Sequence, residues 1–148
     1  MENIDKTKVV AALNRILESE LAGVVCYTHY SFLVFGYNRI PIVGWLRSQA
    51  DESLAHAHTA GEWITHLGAN PSLGIGPLLE RHFTDVGDIL RDSMRSEQRT
   101  LGLYRELLEL VRDRSVALEE YARQMISAEE LHAGEVEKML RRPGDIDT

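Results

Sequence analysis

The chain has 148 residues, 44% of them apolar, enough for one domain whose core needs neither disulfides nor a structural metal. Its 23 acidic and 16 basic residues give a formal charge of -7, which disfavours nucleic acid and anionic lipid as partners and favours cations. Cys26 stands alone, which excludes an internal disulfide and a Cys-x-x-Cys knuckle and points to a reducing compartment.

The opening MENIDKTKVV has neither the basic nor the apolar region of a signal peptide. The longest apolar stretch, Leu21 to Phe35, is interrupted by Thr28, His29 and Ser31, so a cytoplasmic protein with no membrane partner is expected. The first helix is predicted over about 5–35, with Asp5 as its N-cap and Val9, Leu13, Ile16, Leu17, Leu21, Val24 and Tyr27 as its apolar stripe. Gly36 to Pro41 interrupts the pattern. A second helix follows over about 41–68, with Pro41 in its first turn, Trp45, Leu46, Leu54, Ala60, Trp63 and Leu67 along it, and Gly68 as its stop. After a stretch containing Pro71, Gly74, Gly76 and Pro77, the third spans about 84–112 on Val86, Leu90, Leu101, Tyr104, Leu108 and Val111. The fourth, about 116–141, starts after Ser115 and carries Leu118, Ala122, Met125, Val136 and Leu140 before Pro143. No strand-like alternation competes, and there is no repeat or low-complexity tract.

Short links join the first helix to the second and the third to the fourth, so each pair is expected to be antiparallel. The segment from Ala69 to Phe83 is long enough to run the length of a bundle. The fold class is therefore all-α: an antiparallel four-helix bundle with one long crossover between helices 2 and 3, the ferritin-like arrangement.

At about 100° of rotation per residue, several charged residues fall on apolar faces. Glu20 lies on the stripe of Leu13, Leu17, Val24 and Tyr27, and Glu97 lies in line with Leu90, Leu101 and Tyr104. Glu129 is aligned with Leu118, Ala122 and Val136, with His132 one turn later. On the second helix His56 is aligned with Trp45, Ala60 and Trp63, and Glu52 sits one turn earlier at the edge of that face. Each helix thus sends a metal-capable side chain inward. Several carboxylates sharing one apolar core repel one another unless protonated or neutralised by cations, and oxygen with imidazole nitrogen suits iron, manganese or zinc.

For the other polar and aromatic residues simpler roles suffice. His29 and His58 fall on outer faces, and His66 and His82 lie near helix ends. Tyr27 and Tyr104 read as core aromatics that could also hydrogen-bond a ligand or donate an electron, Trp45 and Trp63 as packing anchors, and Cys26 as a small buried hydrophobe.

Glu20 with Tyr27, the EQRTLGLYRELLEL segment opened by Glu97, and Glu129-Glu130-Leu131-His132 together resemble bacterioferritin, in register along nearly the whole chain. The resemblance implies two iron ions, with Glu20 and Glu97 as terminal carboxylates, Glu129 as a bridge, and His56 and His132 as nitrogen ligands. Three features depart from that family. Ser53 stands where the second helix would carry the glutamate of a Glu-x-x-His, leaving Glu52, four residues from His56, as the carboxylate that could substitute. Leu54 stands where a methionine would bind haem, so no haem is expected. The chain ends soon after the fourth helix, where the family has a short fifth helix lining a channel of its cage.

The implied activity is a ferroxidase: Fe(II) oxidised by dioxygen or peroxide for iron storage, detoxification or homeostasis, in a homo-oligomer built from two-fold dimers. The alternatives are a dimetal oxidase or peroxide scavenger without a storage cage, and a metal-poor structural partner subunit.

Overall fold

The computed structural model describes residues 3–78 and 81–144, so Met1, Glu2, Leu79, Glu80 and the last four residues lie outside the described part. Four helices follow one another: α1 (Lys6–Ser31), α2 (Arg39–His66), α3 (Val86–Val111) and α4 (Val116–Leu140). No residue among those described is in a strand.

Side-chain caps fix three of the starts. The Asp5 carboxylate accepts from the Lys8 amide, Asp85 from Asp88 and the Ser115 hydroxyl from Leu118, each satisfying one of the amides that a first turn leaves open. Asp5 and Ser115 are the predicted positions, whereas α3 starts at Val86, just past the expected Thr84, because Asp85 is the capping side chain. α1 ends at Ser31, four residues before the expected Phe35. There the Phe32 amide turns back to the His29 carbonyl, and Arg39 Nη1 donates to the Ser31 and Val34 carbonyls at 3.4 and 2.8 Å. Gly36, at φ 96°, supplies the left-handed turn that redirects the chain. α2 begins at Arg39, which places Pro41 in its first turn as expected.

Cross-helix pairs give the directions. Glu20 meets His56 and Ser31 meets Arg47, so α1 and α2 are antiparallel. Tyr104 faces Tyr121 while Glu97 faces His132, so α3 and α4 are antiparallel as well. Tyr104 reaches Glu20, Tyr27 reaches Glu97 and Tyr30 reaches Asp92, which makes α3 antiparallel to α1. The crossover climbs the outside of α1: Ser72 N–H donates to Asn14 Oδ1 (2.8 Å), Gly76 N–H to the Glu18 carbonyl (2.8 Å), and the Arg81 carbonyl lies 3.1 Å from His29 Nε2. Gly76 has to be small here, because a Cβ would sit 3.0 Å from that Glu18 carbonyl.

The apolar interior falls into two clusters. One packs Val9, Leu13, Ile16, Ile64, Leu107, Leu118 and Ala122 around Tyr104 and Tyr121; the other packs Tyr27, Tyr30, Val34, Leu46 and Ile89. The interior carboxylates lie between them. Leu54, placed by sequence among the apolar residues of α2, points outward and is exposed, because the Ala50–Ser53–Ala57–Ala60 side of α2 is the one that faces the bundle. Cys26 is half-buried rather than buried, at a cavity of about 270 Å³ between α1, α3 and the crossover. No helix among the described residues is long and apolar enough to cross a membrane.

Candidate metal centre

Helical spacing brings the acidic residues to one level of the bundle. Glu20 on α1, Glu97 on α3 and Glu129 on α4 are 2%, 9% and 4% exposed, far below the ordinary exposure of glutamate. His56 on α2 approaches from the fourth side, its Nδ1 3.0 Å from Glu20 Oε2 and 3.4 Å from Glu129 Oε1. Neither contact is aligned as a hydrogen bond. His56 Nδ1 and Glu129 Oε2 are both fully buried without a hydrogen-bond partner. Such atoms cost about 1–3 kcal/mol each when left unsatisfied, and more when charged. The three side chains Glu20, His56 and Glu129 offer ligand atoms within 4.8 Å of one another.

Tyrosines hold two of the carboxylates. The Tyr104 hydroxyl donates to Glu20 Oε2 at 2.8 Å, and the Tyr27 hydroxyl donates to Glu97 Oε1 at 2.6 Å. The Tyr27 oxygen also lies 3.2 Å from His132 Nε2, and the His132 ring stacks on Trp45 with centroids 5.9 Å apart and planes 3° from parallel. These contacts fix the carboxylate and imidazole orientations, which is what outer partners do around metal ligands.

The electrostatics are those of a site short of positive charge. Burial raises the pKa of Glu20, and the neighbouring His56 and Tyr104 offset that only in part. Burial, reinforced by the adjacent Glu129 carboxylate, raises Glu97 as well. Burial disfavours a charged His56, but Glu129 and Glu20 outweigh it and push the imidazole up to about 10. Protons therefore stand in for cations among these side chains. The donor set of carboxylate oxygens and imidazole nitrogen matches the chemistry of iron, manganese or zinc, and the two unpartnered atoms give such an ion somewhere to bind.

Of the six residues singled out in the sequence, Glu20, His56, Glu97, Glu129 and His132 converge on this level. Glu52 does not join them. Its side chain is 51% exposed and lies 3.8 Å from His56 Nε2, at the opposite edge of the imidazole from the buried Nδ1. Ser53 is buried and faces Gly23 of α1, where an added Cβ would lie 3.1 Å from the Ser53 hydroxyl. Sequence reasoning passed over Tyr121, which packs edge-on against Tyr104 and has a buried hydroxyl without a partner. Its place eight residues before Glu129, on the same helical face, was the available signal.

Residues 10–143 match the Ferritin-like domain family, and the chain belongs to that family. Among solved structures it is similar to a ferritin-like, diiron-carboxylate protein from Bacillus anthracis str. Ames, with 25% identity, a TM-score of 0.85, and coverage of 95% of this chain and 100% of that one. It is also similar in fold to the Rhodobacter capsulatus bacterioferritin (24% identity, TM-score 0.78, covering 95% and 86%). A third likeness is to a dodecameric thioferritin, the bacterioferritin-related protein from Bacteroides fragilis (20% identity, TM-score 0.82, covering 93% and 86%). Comparison with curated protein sequences gives no match. The fold is thus that of the ferritin-like diiron-carboxylate proteins, and its interior holds a carboxylate and histidine group able to bind metal.

Proposed function

We propose that the protein is a ferroxidase whose centre lies between Glu20, His56, Glu97, Glu129 and His132. The observation that carries this reading is the pair of buried atoms without a hydrogen-bond partner, His56 Nδ1 and Glu129 Oε2, in a core where three carboxylates converge. Keeping such groups in an apolar interior costs stability, which replacement by apolar side chains would relieve, and a bound cation would offset that cost. Ferrous iron is the substrate: Glu20 and Glu97 act as terminal ligands, Glu129 bridges, and the two histidines supply nitrogen. Two ferrous ions together give up the two electrons that reduce dioxygen to peroxide, or peroxide to water. Carboxylate oxygens favour the ferric product, and the surrounding apolar clusters limit side reactions with solvent.

The choice of metal is supported by the solved relative described as a diiron-carboxylate protein. The dodecameric Bacteroides fragilis relative supports assembly into a homo-oligomer, as does exposed apolar surface at Phe32, Ile40, Leu73 and Leu131. Whether the ferric product is stored or released follows from whether that oligomer encloses a cavity. Replacing Glu129→Ala tests the proposal: rapid oxidation of added Fe(II) disappears while far-ultraviolet circular dichroism stays helical. Unchanged oxidation by that variant overturns the assignment.

A further inference from the structure

Two histidines outside the interior centre meet across different segments of the chain. His29, on the outer side of α1, is half-buried, and His82 stands exposed in the crossover shortly before α3. His29 Nε2 lies 3.2 Å from His82 Nδ1, with ring centroids 5.2 Å apart, and the same Nε2 lies 3.1 Å from the Arg81 carbonyl oxygen. Donor atoms from the crossover thus gather around one imidazole nitrogen of α1.

The spacing suits an ion. A metal about 2.0–2.1 Å from each of two nitrogens that are 3.2 Å apart makes an N–metal–N angle of about 100°, near tetrahedral, so neither ring has to travel far to accept it. Without an ion, the carbonyl can only accept, so His29 Nε2 carries the proton and shares it between that oxygen and the His82 Nδ1 lone pair. When an ion binds, His29 takes the tautomer protonated at Nδ1, its Nε2 lone pair and that of His82 Nδ1 go to the ion, and the Arg81 carbonyl is at hand as an oxygen donor.

The Arg81 guanidinium does not stand uncompensated beside the pair, since Asp92 holds it at 2.9 Å, and the whole chain carries a formal charge of -7. Among the described residues no Cys, Asp or Glu side chain completes a trio with the two histidines, so water fills the remaining coordination positions. A nitrogen pair of this kind selects differently from the oxygen-rich interior, favouring Cu(II) and Zn(II) over Fe(II).

We infer that His29 and His82 form a second metal site, on the outside of the bundle, which takes an ion of the Zn(II) or Cu(II) class and clips the crossover to α1. It uses none of the interior ligands and does not depend on the ferroxidase reading.

Calorimetric titration of the metal-stripped full chain with Zn(II) tests this, with His82→Ala as the comparison, since that exposed position lies outside the bundle core. The unaltered chain should bind about one ion more than His82→Ala, and that step should survive in Glu129→Ala, where the interior centre is damaged. Crystals soaked in Zn(II) should show anomalous density between the two imidazoles, and His29→Ala should remove it. Equal stoichiometry and affinity in the unaltered chain and His82→Ala, or zinc density only among Glu20, His56 and Glu129, overturns the outer site and leaves the interior centre standing. Loss of every zinc step in Glu129→Ala, with helical circular dichroism retained, overturns it as well.

Discussion

Metal should stabilise this protein increasingly as pH rises, because at this centre cations compete with protons. His56 has its pKa raised from 6.5 to about 10, so its proton contributes stability that is fully present below 6.5 and is lost as pH rises through about 10. Glu20 and Glu97 are raised above 4.5, so the folded state again holds protons that the unfolded chain has released. All three act in one direction, and the metal-free protein loses stability as pH increases. A metal ion must displace the His56 proton throughout pH 6 to 8, which makes its apparent affinity rise by about tenfold per pH unit for each proton released. Ion present at 100 times its dissociation constant adds about 2.7 kcal/mol. At about 2–4 °C per kcal/mol for a chain of this size, that is a rise in Tm of about 5–11 °C. Thermal unfolding of chelator-treated protein, with and without Zn(II), at pH 6 and pH 8 measures both trends. Zinc stabilisation that is equal at the two pH values, or greater at pH 6, refutes the proton-for-cation reasoning.

Tyr104→Phe removes the 2.8 Å hydrogen bond to buried Glu20 and should cost about 1–2 kcal/mol in urea unfolding of the metal-free protein, with a further rise in the Glu20 pKa. Ile64→Ala, at a fully buried position, should cost about 2–5 kcal/mol in the same assay, whereas Leu131→Ala, on the exposed face of α4, should cost less than about 0.5. Ser115→Ala deletes the cap of α4 and should lower stability by about 1 kcal/mol without altering metal binding.

The fold was readable wherever local chemistry decides it. Asp5 is a capping side chain in sequence and in structure, α4 starts after Ser115 as expected, and the Pro- and Gly-containing segment after Gly68 is the crossover along α1. The end of α1 was not readable, because it depends on Arg39, eight residues away, taking the open Ser31 carbonyl. Burial of Glu20, Glu97 and Glu129 followed from helical rotation, since each lies on an apolar stripe. Rotation alone left Glu52 undecided: it places Glu52 beside His56 but does not say which imidazole edge faces the core. That edge is set by Glu20 and Glu129 reaching Nδ1 from other helices. The Trp45 stack on His132 and the Tyr104 bond to Glu20 also join residues far apart in the chain, so periodicity could mark them as interior without pairing them.

Anaerobic titration with Fe(II) followed by exposure to air tests the ferroxidase assignment most directly, read by bound iron and by near-ultraviolet ferric absorbance. Rapid ferric absorbance is expected, with about two irons bound per chain. Binding near zero, with oxidation no faster than in buffer, would contradict it.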